Sequence, residues 1–98
     1  MKPNQQPEIL KRLHCAAGHL NAVIEMAASE KPCEQVLYQL YAVQAALDAV
    51  GLRVLMCQVK DSETLILNSS SSNERANELK RLQSLYTIHK HKAFIRAR

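Results

Sequence analysis

Apolar residues recur at intervals of three and four along most of the chain, and that spacing predicts helices rather than strands. The first set is Ile9, Leu13, Ala16, Ala17, Leu20, Val23, Ile24 and Ala27, which gives one helix with a buried face. It should fade near Ser29, because Pro32 disfavours helical geometry in the residue before it. Pro32 suits the first turn of a second helix, where its missing N–H costs nothing, and Glu34 in the same turn suits the helix dipole.

That second helix carries the clearest pattern. Cys33, Val36, Leu40, Val43, Leu47, Val50, Val54 and Cys57 are separated by 3, 4, 3, 4, 3, 4 and 3 residues. The result is a heptad-like seam about 36 Å long at ~1.5 Å per residue. The seam is palindromic about residue 45. An antiparallel copy would set Val36 near Val54, Leu40 near Val50, Val43 near Leu47 and Cys33 near Cys57. A two-fold dimer requires such self-complementarity. Ala42, Ala45, Ala46 and Ala49 thin the middle and permit close approach. The seam could instead pack on the first helix of its own chain; a long helix in so short a protein favours the antiparallel homodimer.

"ETLILN" (63–68) either extends this helix or forms a short irregular piece. "NSSSSN" (68–73) reads as a loop without packing potential. Ser71 and Glu74 have capping-box spacing for a third helix, with a buried face of Ala76, Leu79, Leu82 and Tyr86. Residues 1–7, polar with two prolines, read as a flexible arm, and 87–98 as a basic tail around a single 98-residue domain.

Composition narrows the picture without changing it. There is no Trp, one Phe and only two Gly, so an all-α protein is expected, with a core small enough to be completed by oligomerising. The net charge of +4 permits contact with nucleic acid. Three cysteines, without a signal-peptide pattern, fit a reducing cytoplasm rather than a disulfide framework. No uninterrupted apolar run approaches a membrane span, so no membrane partner is expected. No general acid–base pair or nucleophile–base constellation stands out, which argues against an enzyme.

Arg12, Leu13, Gly18, His19, Leu20, Ile24 and Met26, followed by Cys33, Gln39, Ala42, Val43, Ala46 and Leu47, form an ordered pattern over roughly residues 9–60. In order and spacing it resembles the copper-sensing repressor family of bacteria, the CsoR/RcnR/FrmR group. The resemblance implies a three-helix protomer, an antiparallel four-helix-bundle dimer built on the second helices, and a dimer of dimers. It also implies a cytoplasmic repressor that leaves operator DNA when an effector binds: Cu(I), Ni(II) or Co(II), formaldehyde, or a persulfide-forming sulfur species.

In metal-sensing relatives the cysteine that opens the second helix meets two residues, four apart, on the partner's second helix. Counted from Cys33, those positions hold Gln58 and Ser62, neither a good ligand for a soft or borderline ion. The usual three-ligand site is therefore incomplete, and any Cu(I) or other transition-metal site would be atypical. Cys57 precedes Gln58 and is turned about 100° around the helix. The seam still brings it near a partner's Cys33. The pair could form an intersubunit disulfide or polysulfide bridge, or a two-coordinate Cu(I) site, with Cys33 at the helix end whose dipole favours a nucleophilic sulfur. Equally, both could be small packed residues at the ends of the seam. Glu78 falls where relatives often carry a carboxylate behind the ligands, although a helical Glu is commonly just solvated.

Formaldehyde chemistry in the family resembles a crosslink to an N-terminal proline amine, which Pro3 after Met1 and Lys2 does not offer. Cys15 and His19, beside His14, have a two-ligand spacing, whereas His89 and His91 do not share a helical face. For DNA, Lys11 and Arg12 match the family's basic start, but the midpoint of the second helix contributes only Arg53. A different class of function therefore competes: a helical homo-oligomeric scaffold or adaptor without operator binding.

Overall fold

The structure, a computed structural model, describes residues 5–92. Three helices follow in order, α1 (Gln6–Ala28), α2 (Cys33–Asn68) and α3 (Ser72–Lys90), and the described residues contain no strand. The chain divides into two compact units, Met1–Val54 and Leu55–Arg98, with the boundary inside α2.

In the first unit, α1 and the first half of α2 form an antiparallel hairpin. Its core is built on heptad spacing: Ile9, Ala16 and Val23 from α1 are buried together with Val43 and Val50 from α2. Residues seven apart lie two turns apart on one face, so each helix offers a straight ridge. The turn between them is a Schellman ending. Glu30 N–H donates to Ala27 O at 3.2 Å and Lys31 N–H to Met26 O at 3.1 Å, with Glu30 at φ 59°. Pro32 stands just before α2, and its carbonyl accepts from Gln35 N–H (3.0 Å) and Val36 N–H (3.2 Å). Cys33 thus opens the helix.

This packing corrects two expectations. The face of α1 is rotated: Leu13, Leu20 and Ile24 are exposed, while Arg12, His19 and Met26 are half-buried between the core positions. The seam of α2 is not a single surface. Val36, Val43 and Val50 turn inward, whereas Cys33, Leu47 and Val54 stay exposed. An apolar stripe wider than one neighbour can cover is shared out, and α1 takes its alternate members.

In the second unit, "ETLILN" extends α2, which runs to Asn68. Ser71 caps α3 as expected, accepting from Glu74 N–H at 3.2 Å. The serine loop is more organised than a spacer. Ser69 Oγ accepts from Ser71 N–H (3.2 Å) and donates to Glu74 Oε2 (3.1 Å), while Arg75 Nη1 donates to Ser69 O at 2.6 Å. These contacts fix the rotation of α3. The half-buried positions are Arg75, Glu78, Leu82, Leu85 and His89; Ala76, Leu79 and Tyr86, expected inside, are exposed. Helix α3 continues through Thr87–Lys90, so the basic tail begins later than expected, and Gln6 and Pro7 belong to α1 rather than to an arm. The rest of the arm and of the tail, residues 1–4 and 93–98, lies outside the described residues.

By length and composition alone, α2 could cross a membrane: an 18-residue window reaches a mean hydropathy of 1.5, with 11% of it buried. That average arises without an uninterrupted apolar run, since Gln35, Gln39, Gln44, Asp48 and Arg53 are distributed along the same helix. The high value and the low burial share one cause, the apolar side chains that one chain leaves uncovered, such as Leu37, Tyr41 and Leu47.

Candidate effector site

All three cysteines are free thiols. Cys33 is exposed in the first turn of α2, at the end of the helix whose dipole favours negative charge. Cys57 is half-buried and belongs to the second unit. Cys15 is exposed on α1.

Gln58 and Ser62, the positions singled out in the sequence as the incomplete ligand pair, are joined to one another and to Glu78. Gln58 Nε2 donates to Ser62 Oγ at 3.0 Å and to Glu78 Oε1 at 3.3 Å, and Ser62 Oγ donates to the same carboxylate oxygen at 2.5 Å. The i, i+4 spacing on α2 sets Gln58 and Ser62 on one face, and Glu78 meets them from α3. Ser62 is 0% exposed, and Glu78 is half-buried rather than solvated. The sequence supplied these three positions; it did not show that they close on each other.

A soft or borderline transition ion does not fit this trio. An amide, a hydroxyl and one carboxylate are hard donors, and thiolate or imidazole is absent. Among the described residues no group of three or more His, Cys, Asp and Glu side chains is placed to hold an ion. Cys15 and His19 are two potential ligands without a third His, Cys, Asp or Glu grouped with them among the described residues, and the imidazole Nε2 of His19 hydrogen-bonds Gln39 Oε1 at 2.8 Å. That contact ties α1 to α2 through two residues of the family-like pattern, a pairing that spacing alone did not reveal.

Lys11, Arg12, Cys15 and His19 line a groove of about 390 Å³ whose floor is Ala16, Ala46, Ala49 and Val50. Arg12 Nε donates to Glu8 Oε1 at 2.9 Å. A surface pair of this kind contributes about 0–1 kcal/mol, so the guanidinium can exchange it for a phosphate at little cost. Arg53 is exposed on α2.

No curated protein and no solved structure matches the chain. A family model does, described as metal-sensitive transcriptional repressor, over residues 5–87. The match spans all of α1 and α2 and most of α3, including Cys33, Gln58, Ser62 and Glu78. The chain belongs to the metal-sensitive transcriptional repressor family.

Proposed function

We propose that this protein is a cytoplasmic repressor that binds operator DNA as a homodimer or homotetramer and leaves it when Cys33 undergoes thiol chemistry. The observation that carries the reading is the combination of a family match over residues 5–87 with an exposed, free Cys33 and hard donors at Gln58 and Ser62. The family match supports a regulator, and the donor set directs the signal away from a three-ligand metal centre.

The chemistry begins with attack of the Cys33 thiolate on a sulfane sulfur of an inorganic polysulfide. The S–S bond of the polysulfide breaks, and its remaining chain leaves as the anion. The thiolate of Cys57 of the partner subunit then attacks Cys33 Sγ, and hydrosulfide leaves with the electron pair. Two thiolates are oxidised to one disulfide, and the polysulfide is the oxidant that is reduced. An antiparallel copy of α2 would pair through residues that α1 leaves exposed, such as Cys33, Leu37, Leu47 and Val54, rather than through the inward-facing valines, to bring Cys57 to Cys33. Lys11, Arg12 and Arg53 would neutralise phosphates.

Two measurements test the reading. Gel shifts with the DNA upstream of its own gene should give a specific complex that weakens as salt rises. Absence of such a complex would leave the scaffold reading in its place. Intact mass after polysulfide treatment should give a Cys33–Cys57 crosslinked dimer. Intact mass after separate anaerobic treatment with Cu(I), if it showed two unlinked chains retaining one Cu(I), would point to a two-coordinate copper site instead.

A further inference from the structure

We propose that Gln58, Ser62 and Glu78 form a polar clasp that fastens α3 to α2 without a metal, and that Cu(I), Ni(II) and Co(II) find no ligand set there. The inference rests on the second unit alone and holds whichever chemistry occurs at Cys33.

The burial pattern gives the first reason. Among the described residues of this unit, Ser62 alone is buried, whereas the apolar side chains between α2 and α3 are half-buried. A helix joined by half-buried apolar contacts depends more on its polar ones. A hydrogen bond to a carboxylate is roughly twice as strong as a neutral pair, and Glu78 Oε1 accepts two. Ser62 is small enough to admit that carboxylate, and its hydroxyl both accepts from Gln58 and donates to Glu78.

Hydrogen-bond capacity gives the second. Gln58 donates twice, Ser62 is used in both senses, and no buried side-chain nitrogen or oxygen among the described residues is without a partner. An ion entering here would break three hydrogen bonds and gain only hard donors, a poor exchange for a soft or borderline metal.

The test uses the full chain and two readouts. Hydrogen exchange should show the α3 amides exchanging about tenfold faster or more in Ser62→Ala, matching loss of a charge-assisted hydrogen bond, while α1 is unchanged. Glu78→Gln, a milder change, should move exchange the same way, and Ser62→Thr should restore part of the protection. Unchanged α3 exchange in both Ser62→Ala and Glu78→Gln would overturn the clasp. In the second readout, wild type, Ser62→Ala, Glu78→Gln and Cys33→Ala are each incubated anaerobically with Cu(I), Ni(II) or Co(II), desalted and assayed for metal. No retention by wild type, or retention that survives Ser62→Ala and Glu78→Gln but not Cys33→Ala, supports the proposal. Retention lost in Ser62→Ala or Glu78→Gln would make the trio a ligand set and refute it. Failure of the repressor reading would appear in DNA binding, which neither readout uses.

Discussion

Val43 sits at the centre of the α2 seam and is 2% exposed within a single chain. Replacing it with Ala removes two methyl groups from the core that α1 shares through Ile9, Ala16 and Val23. At ~0.8 kcal/mol per buried carbon the transfer loss is about 1.6 kcal/mol. A partly relaxed cavity raises the total to about 2–2.5 kcal/mol. For a chain of this length that corresponds to a melting temperature lower by roughly 10–15 °C. Urea titrations followed by far-UV circular dichroism should show an earlier midpoint with an unchanged slope. Sedimentation at low urea should show self-association close to wild type, since Val43 faces its own α1. A loss below about 0.5 kcal/mol, or intact stability with weakened self-association, would mean that Val43 faces a second copy and that its assignment to the hairpin is mistaken.

Three further substitutions probe single features. Gly18→Ala should stabilise by about 1 kcal/mol in thermal melts, because Gly18 is inside α1 and nothing lies within 4 Å of where its Cβ would stand; a loss would reveal a neighbour close to that face. Ser71→Ala removes the cap of α3 and should cost about 1 kcal/mol, with faster amide exchange at Glu74; unchanged exchange there would argue against the cap. Glu30 holds a left-handed φ of 59°, so Glu30→Val should lose about 1 kcal/mol in urea titrations whereas Glu30→Gly should not, and the reverse order would contradict the turn geometry.

The helices were legible because spacing alone encodes them. The Ser71–Glu74 cap and the break around Pro32 were local signals, and the structure bears both out. Rotation about each helix axis was less legible. Two adjoining apolar stripes on α1 make Leu13 and Ala16 equal candidates for the core in a periodicity argument. The choice falls on Ala16, which lines one groove together with Ala46, Ala49 and Val50 of α2, information held in another part of the chain. The same holds for α3, where Ser69 and Arg75 set a rotation that its weak apolar pattern does not determine. At the candidate site, Cys33, Gln58, Ser62 and Glu78 could be named from their positions. Their mutual hydrogen bonds could not, since those depend on how α3 approaches α2.

The central claim is that Cys33 carries the signal that releases DNA. Fluorescence anisotropy of labelled upstream DNA, titrated with wild type and Cys33→Ala before and after inorganic polysulfide, tests it most directly. Wild type and Cys33→Ala should bind with matching affinity before treatment, and wild type alone should lose tenfold or more, about 1.4 kcal/mol, afterwards. A Cys33→Ala protein released from DNA as readily as wild type would contradict that claim.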